Sequence, residues 1–372
     1  MGNEYFYFNI PGKSMQLTEY FAFRFGYDYF VDSTAPIIIF SLNCSSCVNV
    51  DNIIKNTPGI HVYMQEAFQT YSELHKSIQH IVNLNNSAIV FTGYTQEAMP
   101  NHITYSIFTF AFLDGLQKSN KQVIAFYNPV KKLFSAAGRY EPSRSVITGY
   151  LHAYTDSTVG YNINNKHKHK IADVTDSRLI SIIPDSRKHA IVKSLQLLQD
   201  AAPLLIDSKP MASEYTVTRT INADKKLSEW FPDFTQRKFF ESMQSSAVNV
   251  VCETMFDGNN MLPSISEKMM YSIFAYRPFI LVSTPNSLEF AKQYGFRTFD
   301  RWWDESYDTI VDDAARMNAI LDLVDFINSK SILELKTMLK SMHSTLMHNR
   351  RVLKNLHTTF KSSALEKLIM YG

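Results

Sequence analysis

Long apolar runs are missing from this sequence. Nowhere in its 372 residues does one approach the ~18 that a membrane-crossing helix needs, so no transmembrane span is expected. The opening MGNEYFYFNIPGKS lacks the basic segment and apolar stretch of a signal peptide, which points to the cytoplasm. Cysteine is scarce too: three residues cannot build a disulfide framework. Cys44 and Cys47 form a single CxxC after the apolar run APIIIFSLN, and Cys252 stands apart. A thioredoxin-like redox pair and a strand-end loop with reduced thiols both fit, the second more simply. Zinc would need ligands from elsewhere, and no second CxxC or close His pair supplies them. An Asp-x-Asp pair is absent, so a metal-bridged diphosphate is not expected. Net charge of one sign is also lacking, at +2 from 37 basic and 35 acidic residues, which excludes a nucleic-acid coat but not a local basic patch.

What is present is strand–helix alternation. Ile37–Leu42, Ile60–Met64, Ala88–Thr92 and Val123–Tyr127 read as short buried strands. Leu74, Ile78, Ile81 and Val82 fall at helical spacing between the second and third. HITYSIFTFAFLDGLQK, from His102, is apolar nearly all round and reads as a buried crossover helix. Tyr154–Ser177 breaks the rhythm. It is polar, carries the basic run Lys166, His167, Lys168, His169, Lys170, and is the expected domain boundary or a mobile loop. That run is either a solvated loop or a contact for an anionic polymer.

A second alternating half follows. Leu179–Ile183 reads as a strand, Lys188–Gln199 as a helix with Ile191, Leu195 and Leu198 inward, and Leu204–Ile206 as a short strand. Val248–Cys252 and Phe279–Val282 read as strands, and Ser287–Tyr294 as a helix capped by Gly295. Asp313–Asn328 and the chain from Ser331 read as amphipathic helices. The expected fold is α/β with parallel sheets, as two Rossmann-like domains facing a cleft. The boundaries are an acceptor-side domain at 1–170, a donor-binding domain at 171–330, and helices at 331–372 packing back across both. In such sheets ligands sit at the carboxyl ends of strands, against helix amino ends.

LPSISEKMMYSIFAYRPFILVSTPNSLEF, Leu262 to Phe290, lies at such a junction. Ser264-Ile-Ser-Glu267 has capping-box spacing, and so does Ser331-Ile-Leu-Glu334. Equally, the helix amino end, Ser264, Ser266 and the point charge of Lys268 suit a diphosphate, while Glu267 suits a ribose diol.

ISEKMMYSIFAYRPFILVSTPNSLEF resembles the donor-binding segment of GT-B glycosyltransferases, especially those related to fucosyltransferases and phage-encoded sugar transferases. The likeness extends to CET at Cys252–Thr254, to YGFRTFDRWWDESYD at Tyr294–Asp308, and to LMHNRRVL near the end. SIIPDSRKHAIVKSL resembles the strand–loop–helix that opens the donor domain. It covers roughly the second half, from Arg178 onward. The resemblance implies a metal-independent, cofactor-free transferase using a nucleotide-diphosphate sugar, UDP foremost. It implies Arg187 or Lys188 at the phosphates, Glu253 at sugar hydroxyls and Glu267 at the ribose. The catalytic base should come from the first half, where Glu66, Glu97 and His102 are candidates at strand ends. The phage likeness raises DNA bearing a hydroxymethylated pyrimidine as acceptor, with Lys166, Lys168 and Lys170 on its phosphates, in the host cytoplasm. A glycan, lipid or protein acceptor is the alternative within the class. A non-catalytic nucleotide- or DNA-binding module is the alternative outside it. Trp302 and Trp303 suit either ring stacking on a ligand or anchoring of the last helices.

Overall fold

The structure is a computed structural model that describes residues 37–41, 60–65, 79, 83, 89–92, 102–104, 127–137, 141–155, 158–161, 175–200, 243–253, 255–258, 263 and 265–356. Two four-stranded parallel sheets organise them. The first joins β1 (Ile37–Ser41), β2 (Ile60–Gln65), β3 (Ile89–Thr92) and β4 (His102–Thr104) in simple sequence order. The second is built from β5 (Lys131–Ala137), β6 (Thr158–Tyr161), β7 (Ser246–Cys252) and β8 (Phe279–Val282), in the order β6-β5-β7-β8. Every residue of β7 and β8 is buried, so helices cover both faces, as a parallel sheet requires.

Helix α1 (Pro142–Tyr154) follows β5 and packs on it, with Pro142 in the first turn, where its missing N–H is not needed. Helices α2 (Ser177–Ile182) and α3 (Lys188–Asp200) flank a 3-10 turn at Asp185–Arg187, and α1 lies against both. Helix α4 (Glu267–Phe274) links β7 to β8, burying Met269, Met270 and Ile273. After β8 come α5 (Ser287–Gln293), α6 (Asp313–Ser329), α7 (Ile332–Ser341) and α8 over 343–356. Gly295 ends the α5 region at φ +86°, a left-handed conformation that suits glycine, and donates to Lys292 O.

Three expectations need correcting. Leu179–Ile183 is not a strand: Asp176 caps α2 by accepting from the Arg178 N–H, and Leu179 and Ile182 are buried one helical turn apart. Pro184 follows, as suits a helix stop; a short apolar run does not declare its period. His102 does not open a helix, because His102–Thr104 pairs with β3, where β-branched Ile103 and Thr104 fit a pleated ladder. The Tyr154–Ser177 stretch contributes an edge strand, Thr158–Tyr161, to the second sheet. That sheet therefore draws on residues from Lys131 onward, on both sides of the boundary expected near 170. Leu204–Ile206, the helical pattern at Leu74–Val82 as a whole, and the Cys44–Cys47 pair lie outside the described residues.

Buried arginines fix the loops around the sheet. Arg277, fully buried, donates to the carbonyls of Ser246, Gln244 and Tyr276, tying the start of β8 to that of β7. Arg316 on α6 donates to the carbonyls of Phe256, Ile310 and Val311 and lies over the Phe256 ring. Together with the Gly258 N–H bond to Asp313, this tethers the loop after β7 to α6. Edge strand β8 is also covered, since the Leu281 N–H donates to the Tyr307 hydroxyl.

Candidate functional site

The order β6-β5-β7-β8 locates a crevice by topology. From β5 the chain leaves through α1 to β6 on one side; from β7 it leaves through α4 to β8 on the other. Crossovers of the usual right hand put α1 and α4 on opposite faces, and the gap between the carboxyl ends of β5 and β7 is a switch point. The first sheet keeps sequence order and has no such reversal among its described strands.

Glu253 stands at that point, directly after β7, with its N–H bonded to Val282 O. Its carboxylate is 1% exposed. Oε1 accepts from the Ser266 N–H at 2.9 Å, and Oε2 accepts from the Ser266 hydroxyl at 2.5 Å. The Lys268 ammonium lies 3.5 Å from Oε2 and donates to Ser266 Oγ at 3.0 Å. Ser266 is the N-cap of α4, its hydroxyl oxygen accepting from the Lys268 N–H. The N-cap of α4 is Ser266 and not Ser264, and Glu267 is the first helical residue; the Ser264-to-Glu267 capping box expected from the sequence falls on side chains outside the described residues. Glu253, thirteen residues upstream of Ser266, accepts from the Ser266 N–H, the bond that a capping-box glutamate makes.

Beneath this cluster sits Cys252, whose thiol is 3.9 Å from Ser135 Oγ on β5. Burial pushes the thiol up to about 11 against the pull of Arg144, the Ser135 hydrogen bond and Lys268, while Glu253 adds to the rise. A thiol so placed is a protonated packing group and not a nucleophile.

Three of the expected donor residues, Glu253, Ser266 and Lys268, are thus brought together. Glu253 is enclosed by Ser266 and Lys268 and offers almost no surface to a sugar, so its role here is to position them. Lys268, with its side chain 28% exposed, is the member open to a ligand. Arg187 goes elsewhere: it donates to Asn318 Oδ1 at 3.0 Å, Asp322 at 2.7 Å and Asp325 at 2.9 Å on α6, beneath a cation–π contact with Tyr150. Its guanidinium fastens the turn before α3 to α6. Lys188 opens α3 with its ammonium 3.9 Å from Asp185. His102 is the first residue of β4, at the amino end of its strand and not the carboxyl end that base chemistry would use. Ser264, Glu66, Glu97, Lys166, Lys168 and Lys170 lie outside the described residues.

Trp302 and Trp303 serve packing. Trp303 is buried on Phe299, and the Trp302 indole donates to Ser341 on α7.

Strand β5 and buried Arg144 carry a signal in the sequence that is easily missed. VKKLFSAAGRYEPSRS is a short apolar run, then Gly138, then Pro142 at a helix start, the signature of a strand–turn–helix.

No described helix is long and apolar enough to cross a membrane. Comparison with protein-family models and with curated proteins gives no match.

Proposed function

We propose that this chain is a glycosyltransferase that moves a sugar from a nucleotide-diphosphate donor, UDP foremost, to an acceptor hydroxyl. The observation that carries the reading is the assembly of Glu253, Ser266 and Lys268 at the switch point of the second sheet, where α/β folds bind nucleotides. The resemblance of the Ile265–Phe290 segment to donor-binding segments of GT-B enzymes supports it. In this reading the fold is two Rossmann-like units facing a cleft, with the first sheet on the acceptor side and the second on the donor side. No metal or cofactor takes part.

The chemistry follows from charge. The acceptor oxygen loses its proton to a base and forms the new bond to the anomeric carbon. The bond from that carbon to the phosphate oxygen breaks, and its electron pair leaves on the diphosphate. Lys268 and the amino end of α4 stabilise that charge, and Glu253 holds the ammonium in place. A hydroxymethylated pyrimidine in phage DNA is the acceptor proposed first, from the resemblance; a glycan, lipid or protein acceptor is the alternative. The basic run Lys166–Lys170 is the proposed DNA contact, so DNA binding should weaken steeply with salt.

The test has two parts. A nucleoside diphosphate at a hundred times its Kd should stabilise the protein by about 2.7 kcal/mol and raise its Tm. Mass spectrometry of mixtures with UDP-sugars and hydroxymethylated or plain DNA should then show added hexose or pentose on the modified DNA alone. No shift with any nucleoside diphosphate, and no turnover of nucleotide sugars, would leave Ser266 as a helix cap and the chain as a binding module of another kind.

A further inference from the structure

The last two described helices concentrate positive charge. Residues 332–356 hold Lys336, Lys340, Arg350, Arg351 and Lys354 against a single acid, Glu334, in a chain whose overall charge is only +2. Helix α8 continues α7 with one break at Met342, and hydrogen bonds cross it: the Met342 N–H donates to Met338 O and the Leu346 N–H to Met342 O. With the helical period kept through the break, Lys336, Lys340, Arg351 and Lys354 fall in one row along the pair. Lys340, Arg351 and Lys354 are exposed and Lys336 is half-exposed. None of the four joins an ion pair among the described residues. Glu334 does not answer them, because its carboxylate accepts from the Ser331 N–H and hydroxyl. Arg350 is not in the row: it donates to Phe274 O and lies over the Phe274 ring.

The apolar face of these helices is in the core. Leu335, Leu339, Leu346 and Leu353 are buried, α7 packs on β5 and β7, and Asn349 of α8 is hydrogen-bonded to the Arg297 backbone. A basic helix that binds a membrane inserts its apolar side, and here that side is already covered. What remains outward is a rigid row of cations without anionic partners, which matches a regular polyanion. From Lys336 to Lys354 the row runs about 27 Å at the helical rise, a length over which one strand of a duplex passes on the order of eight phosphates. We propose that α7 and α8 form a docking surface for the phosphate backbone of a nucleic-acid duplex, with Lys336, Lys340, Arg351 and Lys354 as its contacts. Such contacts position a duplex without reading its sequence. The proposal goes beyond the donor-site reading and does not rest on it: duplex binding without turnover of nucleotide sugars leaves it intact.

Fluorescence anisotropy of labelled DNA and RNA duplexes of about 20 base pairs, titrated with the full chain between about 50 and 200 mM salt, tests this. Wild type should bind at least one duplex, with log Kd against log salt changing by about 4 or more per decade. Lys336→Gln with Lys340→Gln should lower that slope by about 2 and weaken binding on the order of 10- to 100-fold; Arg351→Gln with Lys354→Gln should do the same. Glutamine keeps helix propensity, so both variants should fold, judged by circular dichroism. Lys340→Gln alone, with a slope change of about 1, carries the test if a double variant does not fold. Lys193→Gln removes an exposed cation from α3 and should leave the slope unchanged. Slopes that stay at the wild-type value in the row variants overturn the surface, as does wild type that binds neither duplex. A Lys193→Gln effect as large as that of Lys340→Gln also overturns it, since net charge alone would then explain binding. Binding of phosphatidylserine vesicles with no binding of either duplex overturns it in favour of a membrane.

Discussion

The pair formed by Lys268 and Glu253 gives the sharpest quantitative expectation. At 3.5 Å, unit charges attract by roughly 5 kcal/mol at an effective dielectric constant of 20. Two features reduce that figure. The Lys268 side chain is 28% exposed, so solvent screens the pair, and Glu253 retains two hydrogen bonds from Ser266 when the lysine is gone. The coupling expected from a double-mutant cycle with Lys268→Met and Glu253→Gln is therefore about 1–2 kcal/mol, between exposed and fully buried pairs. Urea unfolding of the four proteins measures it, and because one partner meets solvent the coupling should fall between low and high salt. Adding saturating pyrophosphate should shrink it further, because the anion draws the ammonium away from the carboxylate. Single losses that simply add, with coupling under about 0.3 kcal/mol, would refute the pairing in solution. A loss above about 3 kcal/mol for Lys268→Met would instead mark a locked structural pair that is not free to meet a ligand.

Other expectations follow from the same contacts. Replacing Arg187 with methionine should cost about 1–2 kcal/mol of stability, less at high salt, because it frees Asp322 and Asp325 on α6; Arg187→Lys should leave nucleoside diphosphate affinity unchanged, and a marked loss of affinity would return Arg187 to the phosphate site. Gly258→Ala should destabilise by about 1–3 kcal/mol by thermal unfolding, since its Cβ would stand 1.9 Å from Val311 O, a backbone atom. Glu305 has its carboxyl raised above the ordinary value by burial, only partly offset by the nearby Thr298 hydroxyl and the hydrogen bond from the Phe299 N–H. The native state then holds the proton longer than the unfolded chain, so this group makes stability fall as pH rises from the ordinary glutamate range to the raised value. Glu305→Gln should thus gain stability relative to wild type across that window and hold the gain above it; a difference independent of pH would refute the assignment.

Much of the fold was legible because strands of parallel sheets are short apolar runs rich in β-branched residues. IIIFS, IHVYMQ, IVFT and FILV all announce themselves this way, and the structure pairs them in parallel. The Leu179 run failed for a physical reason: Asp176 capping and Pro184 decide its conformation, while its apolar residues fit either period. In β5, KKLFSAA begins with two lysines, of which Lys132 reaches the Asn328 carbonyl at 2.5 Å. Such a strand start reads as surface until its partner is known. Of the candidate site, Glu253, Ser266 and Lys268 stood out one by one in the sequence, and the structure brings these three together. Its location was not, because a switch point is a property of strand order. Ser135 and Cys252 are more than a hundred residues apart and meet only through the β5–β7 pairing.

The two motifs of the form Ser-x-x-Glu show most plainly what the fold adds. At Ser331 the capping box closes locally: Glu334 accepts from the Ser331 N–H and hydroxyl, Ser331 accepts from the Glu334 N–H, and both side chains are exposed. Glu334 stays solvated, and its carboxyl is held below the ordinary range by those bonds. A helix start needs nothing more. At α4 the N-cap is Ser266, and the residue three on from it is Met269, not a glutamate. A carboxylate from the end of β7 enters instead, buried to 1% exposure, with a lysine drawn in beside it. Removing a carboxylate from water costs several kcal/mol even after relaxation, more than a cap returns. Helix initiation alone therefore does not account for Glu253. Holding an ammonium at a fixed place beside a strand terminus does, and that is the arrangement an anionic ligand at the switch point requires.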